Sequence, residues 1–322
     1  MQIIRAVILF LIATPCFADP ASPFVTRDQN PFSLIHGLPA PTPATLIAAG
    51  NLRSTWSLNI TNTINIDVTD NEFLFLDGEI YQSDVILDYG LNDDWNLRID
   101  IPFIAYSGGQ LDKAIESYHE LLGFRRGERP NYSRDQLLFT YSRDGVNQVG
   151  INTSDSNIGD LQLIAGRKLK SGENTLSVWG SVKLPTGDSD NLSGNGATSL
   201  ASWLSGRLSA GDVIQLYALG GLLYMEQGDV LSDLQEDIVL FGNFGMQWQY
   251  WDDIAIQAQI DWHTDFYKNS GSRLLGDVSQ ITFGAKFALS PTINLDFAIA
   301  EDIKVDASPD VNFNFALQVL HE

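Results

Sequence analysis

"DDIAIQAQIDWHTDFY", residues 252–267, decides how this chain folds. From Ile254 the even positions read Ile, Ile, Ala, Ile, Trp, and the odd positions between them read Ala, Gln, Gln, Asp, His. An extended strand points successive side chains to opposite faces, so this one has a greasy face and a wet face. Either a protein core or a lipid bilayer would accept the greasy side. Repetition decides between them.

The pattern recurs in segments of roughly ten or more residues separated by turn residues. In "LRSTWSLNITNTINI" (52–66) Leu52, Trp56, Leu58, Ile60, Ile64 and Ile66 share one parity. "WNLRIDIPF" (95–103) sets Trp95, Leu97, Ile99, Ile101 and Phe103 against Asn96, Arg98 and Asp100. "TLSVWGSVKL" (175–184) repeats it, as do 238–250, 280–287, 293–299 and 311–319. The connections alternate too. Tight turns at 92–94, 171–174, 210–212, 252–253 and 290–292 exchange with long polar stretches at 107–157, 185–197, 226–236 and 267–277. Trp95, Trp248, Tyr250 and Trp251 sit beside the tight turns, while Tyr106, Tyr224, Trp262, Phe266 and Tyr267 sit near the long loops, as two interfacial girdles would.

A soluble β-sandwich or lipocalin-like barrel also alternates, but with more charge on its polar face than these Ser, Thr, Asn, Gln and Gly residues supply. Beyond the leader, no apolar run reaches the ~20 residues of a membrane-spanning helix. The reading is all-β: a closed antiparallel transmembrane β-barrel of about twelve strands, tight turns periplasmic and long loops outside. Leu111, Ala114, Ile115, Tyr118, Leu121 and Leu122 carry helical spacing, which predicts a short amphipathic helix over 111–123 in a long extracellular loop. A small hairpin is expected around 136–151.

"MQIIRAVILFLIATPCFADP" has the basic start, short apolar run and small-residue exit of a secretory signal peptide, residues 1–18. Cys16, the single cysteine, lies within it, so disulfides and cysteine metal clusters play no part in the mature fold. Residues 19–50 hold half of the 12 prolines and read as an extended segment, either periplasmic or threaded into the lumen, ahead of the barrel at 51–322. With 40 acidic and 19 basic residues the net charge is -21, which argues against nucleic acid as a partner.

On the wet face, Arg98, Asp100, Lys183, Arg207, Gln257, Gln259, Asp261, His263, Asp265, Lys286 and Asp296 are the candidate lumen-lining residues. Lys183, Arg207 and Lys286 are expected to pair with acids such as Asp100, Asp261 and Asp296, because buried charges on a barrel wall seek partners. Asp261, His263 and Asp265, spaced by two near the outer rim, are the one constellation able to activate water. A polar wall explains them more simply. The acidic stretch "GDSDN" (187–191) lacks the spacing of a calcium loop, and "GNGAT" (194–198) has no phosphate-binding lysine. No catalytic residue, cofactor or metal is expected.

Several stretches occur in a recognisable order: "NPF" (30–32), "GLP" (37–39), "LDGE" (76–79), "GGQLDKAIESYHELLGF" (108–124), "NIGDLQL" (157–163) and "KLPTGD" (183–188). Together they resemble a family of proteobacterial outer-membrane β-barrel proteins catalogued as a conserved domain of unknown function. The resemblance covers nearly the whole mature chain and implies no site residues. Barrels of this kind usually end in an aromatic residue read by the assembly machinery. This chain ends Leu320-His321-Glu322, with Phe313 and Phe315 upstream. The expected partners are outer-membrane lipid and lipopolysaccharide, the barrel assembly machinery and small solutes. The expected function is a non-enzymatic narrow channel or uptake protein, against a rim-located hydrolase or a structural or adhesive surface barrel.

Overall fold

The computed structural model describes residues 21–109, 135–303 and 311–322; the leader and the helix expected at 111–123 lie outside the described residues. The first three strands are β1 (Leu52–Val68), β2 (Glu72–Gly90) and β3 (Trp95–Ser107). Three short ones follow in an outer excursion: β4 (Leu138–Arg143), β5 (Val146–Ile151) and β6 (Asp155–Ile158). Then come β7 (Leu161–Lys170), β8 (Thr175–Leu184), β9 (Ser199–Ser209), β10 (Ile214–Met225) and β11 (Ile238–Trp251). β12 (Ile254–His263), β13 (Val278–Ser290), β14 (Ile293–Asp302) and β15 (Val311–His321) complete the sheet.

Twelve of these form a ring, each antiparallel to its neighbours. The ring closes where β1 meets β15, from Leu52↔His321 to Asn62↔Val311. Closure is what lipid demands, since an open edge would leave backbone N–H and C=O groups without partners. The three short strands extend the wall outward: β4 pairs with Glu72–Asp77 of β2, β5 forms the expected hairpin with β4, and β6 pairs with the outer end of β3.

Parity runs as the opening stretch requires. On β12, Ile256, Ile260 and Trp262 are 44%, 38% and 41% exposed on the outside, while Gln257 and Gln259 are each 1% exposed on the inside. Trp95, Trp248, Tyr250 and Trp251 ring the tight-turn end outside, and Tyr250 packs edge-on against both tryptophans beside it. The outer girdle is thinner than expected. Tyr224 and Trp262 face outward, but Tyr106, Phe266 and Tyr267 are buried. Tyr106 shares the inward parity of Ile104, and Phe266 and Tyr267 lie past the end of β12, where the chain folds over the mouth. β2 escapes the alternation search because Leu74, Phe75 and Leu76 are all buried, on both of its faces.

An arginine on the outside should therefore cost most at mid-height. Ile260→Arg is expected to destabilise the barrel by about 2–4 kcal/mol, and Tyr250→Arg at the interface by no more than about 1 kcal/mol. Reversible unfolding in lipid vesicles measures both; equal penalties would be inconsistent with a depth-graded lipid face.

Candidate functional site

The wet face does not meet open water. Residues 21–50 enter the ring as a hairpin that fills it, and most of them are buried. The rising limb runs alongside β12 in the same direction. Phe24 N donates to Gln259 Oε1 (2.9 Å), Thr26 Oγ1 to Asp261 Oδ2 (3.0 Å), and Asp28 Oδ2 lies 3.3 Å from His263 Nε2. Every second plug residue thus meets a successive inward residue of β12, as two extended chains with a two-residue repeat must.

Asn30 caps the turn of the hairpin by accepting from Phe32 N (3.0 Å), and Pro31 opens the one-turn helix α1 (Pro31–Leu34). Proline suits that position because its missing N–H would have no helical partner there. Gly37 follows with φ +76°, and a β-carbon on it would strike the Lys183 side chain. Only glycine combines that backbone with that approach. The second limb descends through Thr42, whose hydroxyl contacts Ser205 Oγ and accepts from Trp203 Nε1, and returns to the short-turn end before β1.

Charges hold the plug to the wall. Arg27 Nη1 reaches Asp84 Oδ1 (2.8 Å), its Nη2 reaches Asp100, and its Nε donates to Leu38 O (3.2 Å). All three charged groups are buried. A guanidinium presents five N–H donors in a rigid fork, so one side chain spans two strands and both limbs of the hairpin. Below it, Arg98 clamps Asp88 through two bonds (2.5 and 3.0 Å), its directly opposite residue on β2. Lys286 pairs with Asp296 (2.5 Å) and donates to Ser22 Oγ (3.3 Å).

A second network pins the tip. Lys183 Nζ donates to Asp160 Oδ2 (2.5 Å), to Asn195 Oδ1 and to Ile35 O (3.1 Å). Asn195 Nδ2 donates to His36 Nδ1 (3.3 Å), His36 Nε2 meets Tyr267 Oη (2.9 Å), and Tyr267 Oη donates to Phe32 O (2.8 Å). Each partner's role fixes the next. His36 accepts at Nδ1 and donates from Nε2, which makes it the neutral Nε2–H tautomer. Phe266 stacks on its ring at 4.8 Å. Burial, reinforced by Lys183 and His263, holds the imidazole well below its usual pKa.

Ten of the eleven sequence candidates lie on the inner face, spread around the ring rather than gathered in one site. Lys286 and Asp296 meet as expected, whereas Lys183 takes Asp160 instead, and Arg207 bonds Thr175 Oγ1, Gln215 Oε1 and Gly172 O. Gln257 Nε2 donates to Ser22 O (3.2 Å), and its Oε1 accepts from Tyr217 Oη (2.8 Å). Asp265 is the correction. β12 ends at His263, the chain leaves the ladder, and Asp265 is exposed. With His263 buried against Asp28, the three residues do not assemble as a water-activating site. Among the described residues no three His, Cys, Asp or Glu side chains gather as a metal site. Sequence reasoning missed Arg27, Asp28, His36, Asp84, Asp88, Asp160 and Asn195. The acids of β2 were findable from their inward parity with Gln82; the plug residues carry no periodic signal.

A closed ring of twelve strands with a greasy exterior and a polar inner wall is an outer-membrane β-barrel. The chain belongs to the family described as "Protein of unknown function (DUF3187)", which matches residues 1–319. No curated protein matches the sequence. Among solved structures, the COG4313 outer membrane channel from Pseudomonas putida F1 is similar in fold, with TM-score 0.59 and 13% identity over 88% of this chain and 100% of that one. The NanC porin (TM-score 0.46, 10% identity, 84% and 99% covered) and the KdgM porin (0.44, 6%, 83% and 98%) are more distant.

The neutral His36 gives the plug a pH dependence. In the docked state its pKa lies below the ordinary value of about 6.5 that it regains on release. Docking is then unaffected above pH ~6.5 and weakens as pH falls below it, by up to about 1.4 kcal/mol per unit. Lys183, Asp160, His263 and Tyr267 surround the imidazole and stay in place in the variant that tests this. Protease access to residues 21–50 is expected to rise from pH 7.5 to 5 in the wild type and to change little in His36→Gln.

Proposed function

We propose that this protein is a narrow outer-membrane channel or uptake protein for small solutes, closed at rest by its own residues 21–50 and not an enzyme. The carrying observation is how the lumen is filled. A small barrel with a purely structural role packs its interior with side chains of its own wall. Here the filling is a separate segment, held over much of its length by hydrogen bonds and ion pairs. Such contacts exchange for water at modest net cost, so the segment can leave its seat.

The reading carries further expectations. Residues 1–18 are removed on export, 51–322 form the barrel, and the stretch 107–157 faces the cell exterior. Lipid and lipopolysaccharide contact the apolar girdle, and the barrel assembly machinery inserts the chain.

Steady conductance in planar bilayers tests it. Wild-type protein should open rarely. Arg27→Ala leaves Asp84 and Asp100 buried without their cation, and breaking such a pair costs about 3–5 kcal/mol, enough to raise open probability ~100-fold or more. A folded barrel that conducts nothing in either form would sink the channel reading.

A further inference from the structure

We propose that solutes pass between the plug and one particular wall, the strip formed by β13, β14, β15 and β1, and that they are small uncharged molecules bearing hydrogen-bond donors. This rests on the channel reading above. Backbone register sets the strip out in rows. Thr61, Asn312, Ala300 and Thr282 lie side by side in one row, and Asn59, Asn314, Ala298 and Gly284 in the next. The central strands β14 and β15 contribute alanine and asparagine there, and the flanking β13 and β1 add glycine, threonine and asparagine, so the wall is concave and polar.

Its polar atoms are poorly served. Thr61 Oγ1, Thr282 Oγ1, Asn294 Oδ1, Asn312 Oδ1, Asn314 Oδ1 and Asn59 Nδ2 are buried with no hydrogen-bond partner among the described residues. Every one of these residues is more than nine-tenths buried. Buried polar groups are nearly always satisfied, and leaving them unmade costs the closed state free energy. A wall built for a permanently seated plug would carry methyl groups at those positions. The plug's own anchors are lopsided in the same sense. Its ion pairs and the Lys183 contact face β2, β3, β8 and β12, while the strip offers Asn314 Nδ2 to Val25 O (2.7 Å) and, at its lower end, Lys286 Nζ to Ser22 Oγ (3.3 Å).

The strip also has a mouth. At the short-turn end a cavity of about 160 Å³ lies between the plug's Thr45–Ala48 and the wall residues Asn294, Gln318 and Arg53. Asn294 belongs to both the cavity and the row of unsatisfied oxygens. Five of the six unpartnered atoms are amide or hydroxyl oxygens that accept hydrogen bonds. Asp296, in the next row toward the short turns, is neutralised by Lys286. Accepting oxygens without net charge favour polyols and amides over anions, and they replace a solute's water shell without stripping an ion.

Two measurements test the route, both on full-length protein in liposomes. Thr61→Cys and Ala300→Cys should react with a small polar thiol reagent, whereas Ser205→Cys, beside Thr42 on the anchored wall, should not. Thr61→Val/Thr282→Val should keep or raise thermal stability, since no partner is lost. The same variant should slow glycerol and urea uptake about ten-fold, equivalent to ~1.4 kcal/mol on the barrier. If glycerol enters while 61 and 300 stay unreactive, or if Ser205→Cys reacts equally fast, the route is overturned and the channel stands. If nothing enters and no position reacts, both fall.

Discussion

Hydrocarbon offers no hydrogen bonds, and that single fact shapes this protein from outside inward. It forces the sheet to close, which the pairing of Leu52–Asn62 with Val311–His321 accomplishes. Closure at twelve strands then creates an interior wider than the wall's own side chains can fill, because diameter grows with strand number. Ala298, Ala300 and Ala316 on β14 and β15 point inward and reach hardly at all. Filling must come from elsewhere, and residues 21–50 supply it with Phe24, Phe32 and Ile35 among fully buried side chains.

Inside, the problem becomes electrostatic. Asp84 and Asp100 lie on adjacent strands with almost no exposure, and two buried carboxylates side by side repel. Arg27 answers both at once. Its third contact, to Leu38 O, ties the rising limb to the descending one, so the charge that stabilises the wall also folds the hairpin. A lysine there would be a point charge on a flexible stem and could not serve three acceptors in fixed directions. Seating the plug and satisfying the wall are one event.

What was legible in the sequence follows from this division. The wall has a two-residue period because lipid and lumen alternate along each strand, and alternation can be read from β12 or β14 alone. The plug has no period. Its residues contact whichever strand lies beside them, so Arg27 and His36 looked like any polar residues in a proline-rich linker. Asp265 misled for a related reason: alternation continues in the letters beyond His263, while the backbone has already left the ladder. Tyr106 was misplaced by counting nearness to a loop rather than parity, which puts it with Ile104 on the inside. The polar face was read correctly as inward but wrongly as wetted, since composition does not distinguish side chains that face water from side chains that face another polar chain.

The motifs that carried the family resemblance gain a physical meaning at the plug tip. Asn30, Pro31 and Phe32 form its cap, Gly37 lets it pass over Lys183, and Asp160 and Lys183 come from the two later motifs. Four separated stretches therefore specify one junction at the outer end, which the apolar side chains of Phe139, Tyr141, Leu192 and Leu274 seal further. The lower part of the hairpin is held more lightly, through contacts such as Lys286 to Ser22 and Asn314 to Val25. A segment fixed firmly at one end and loosely at the other moves first where its contacts are few. The cavity beside Asn294 lies at that looser end, on the short-turn side of the barrel.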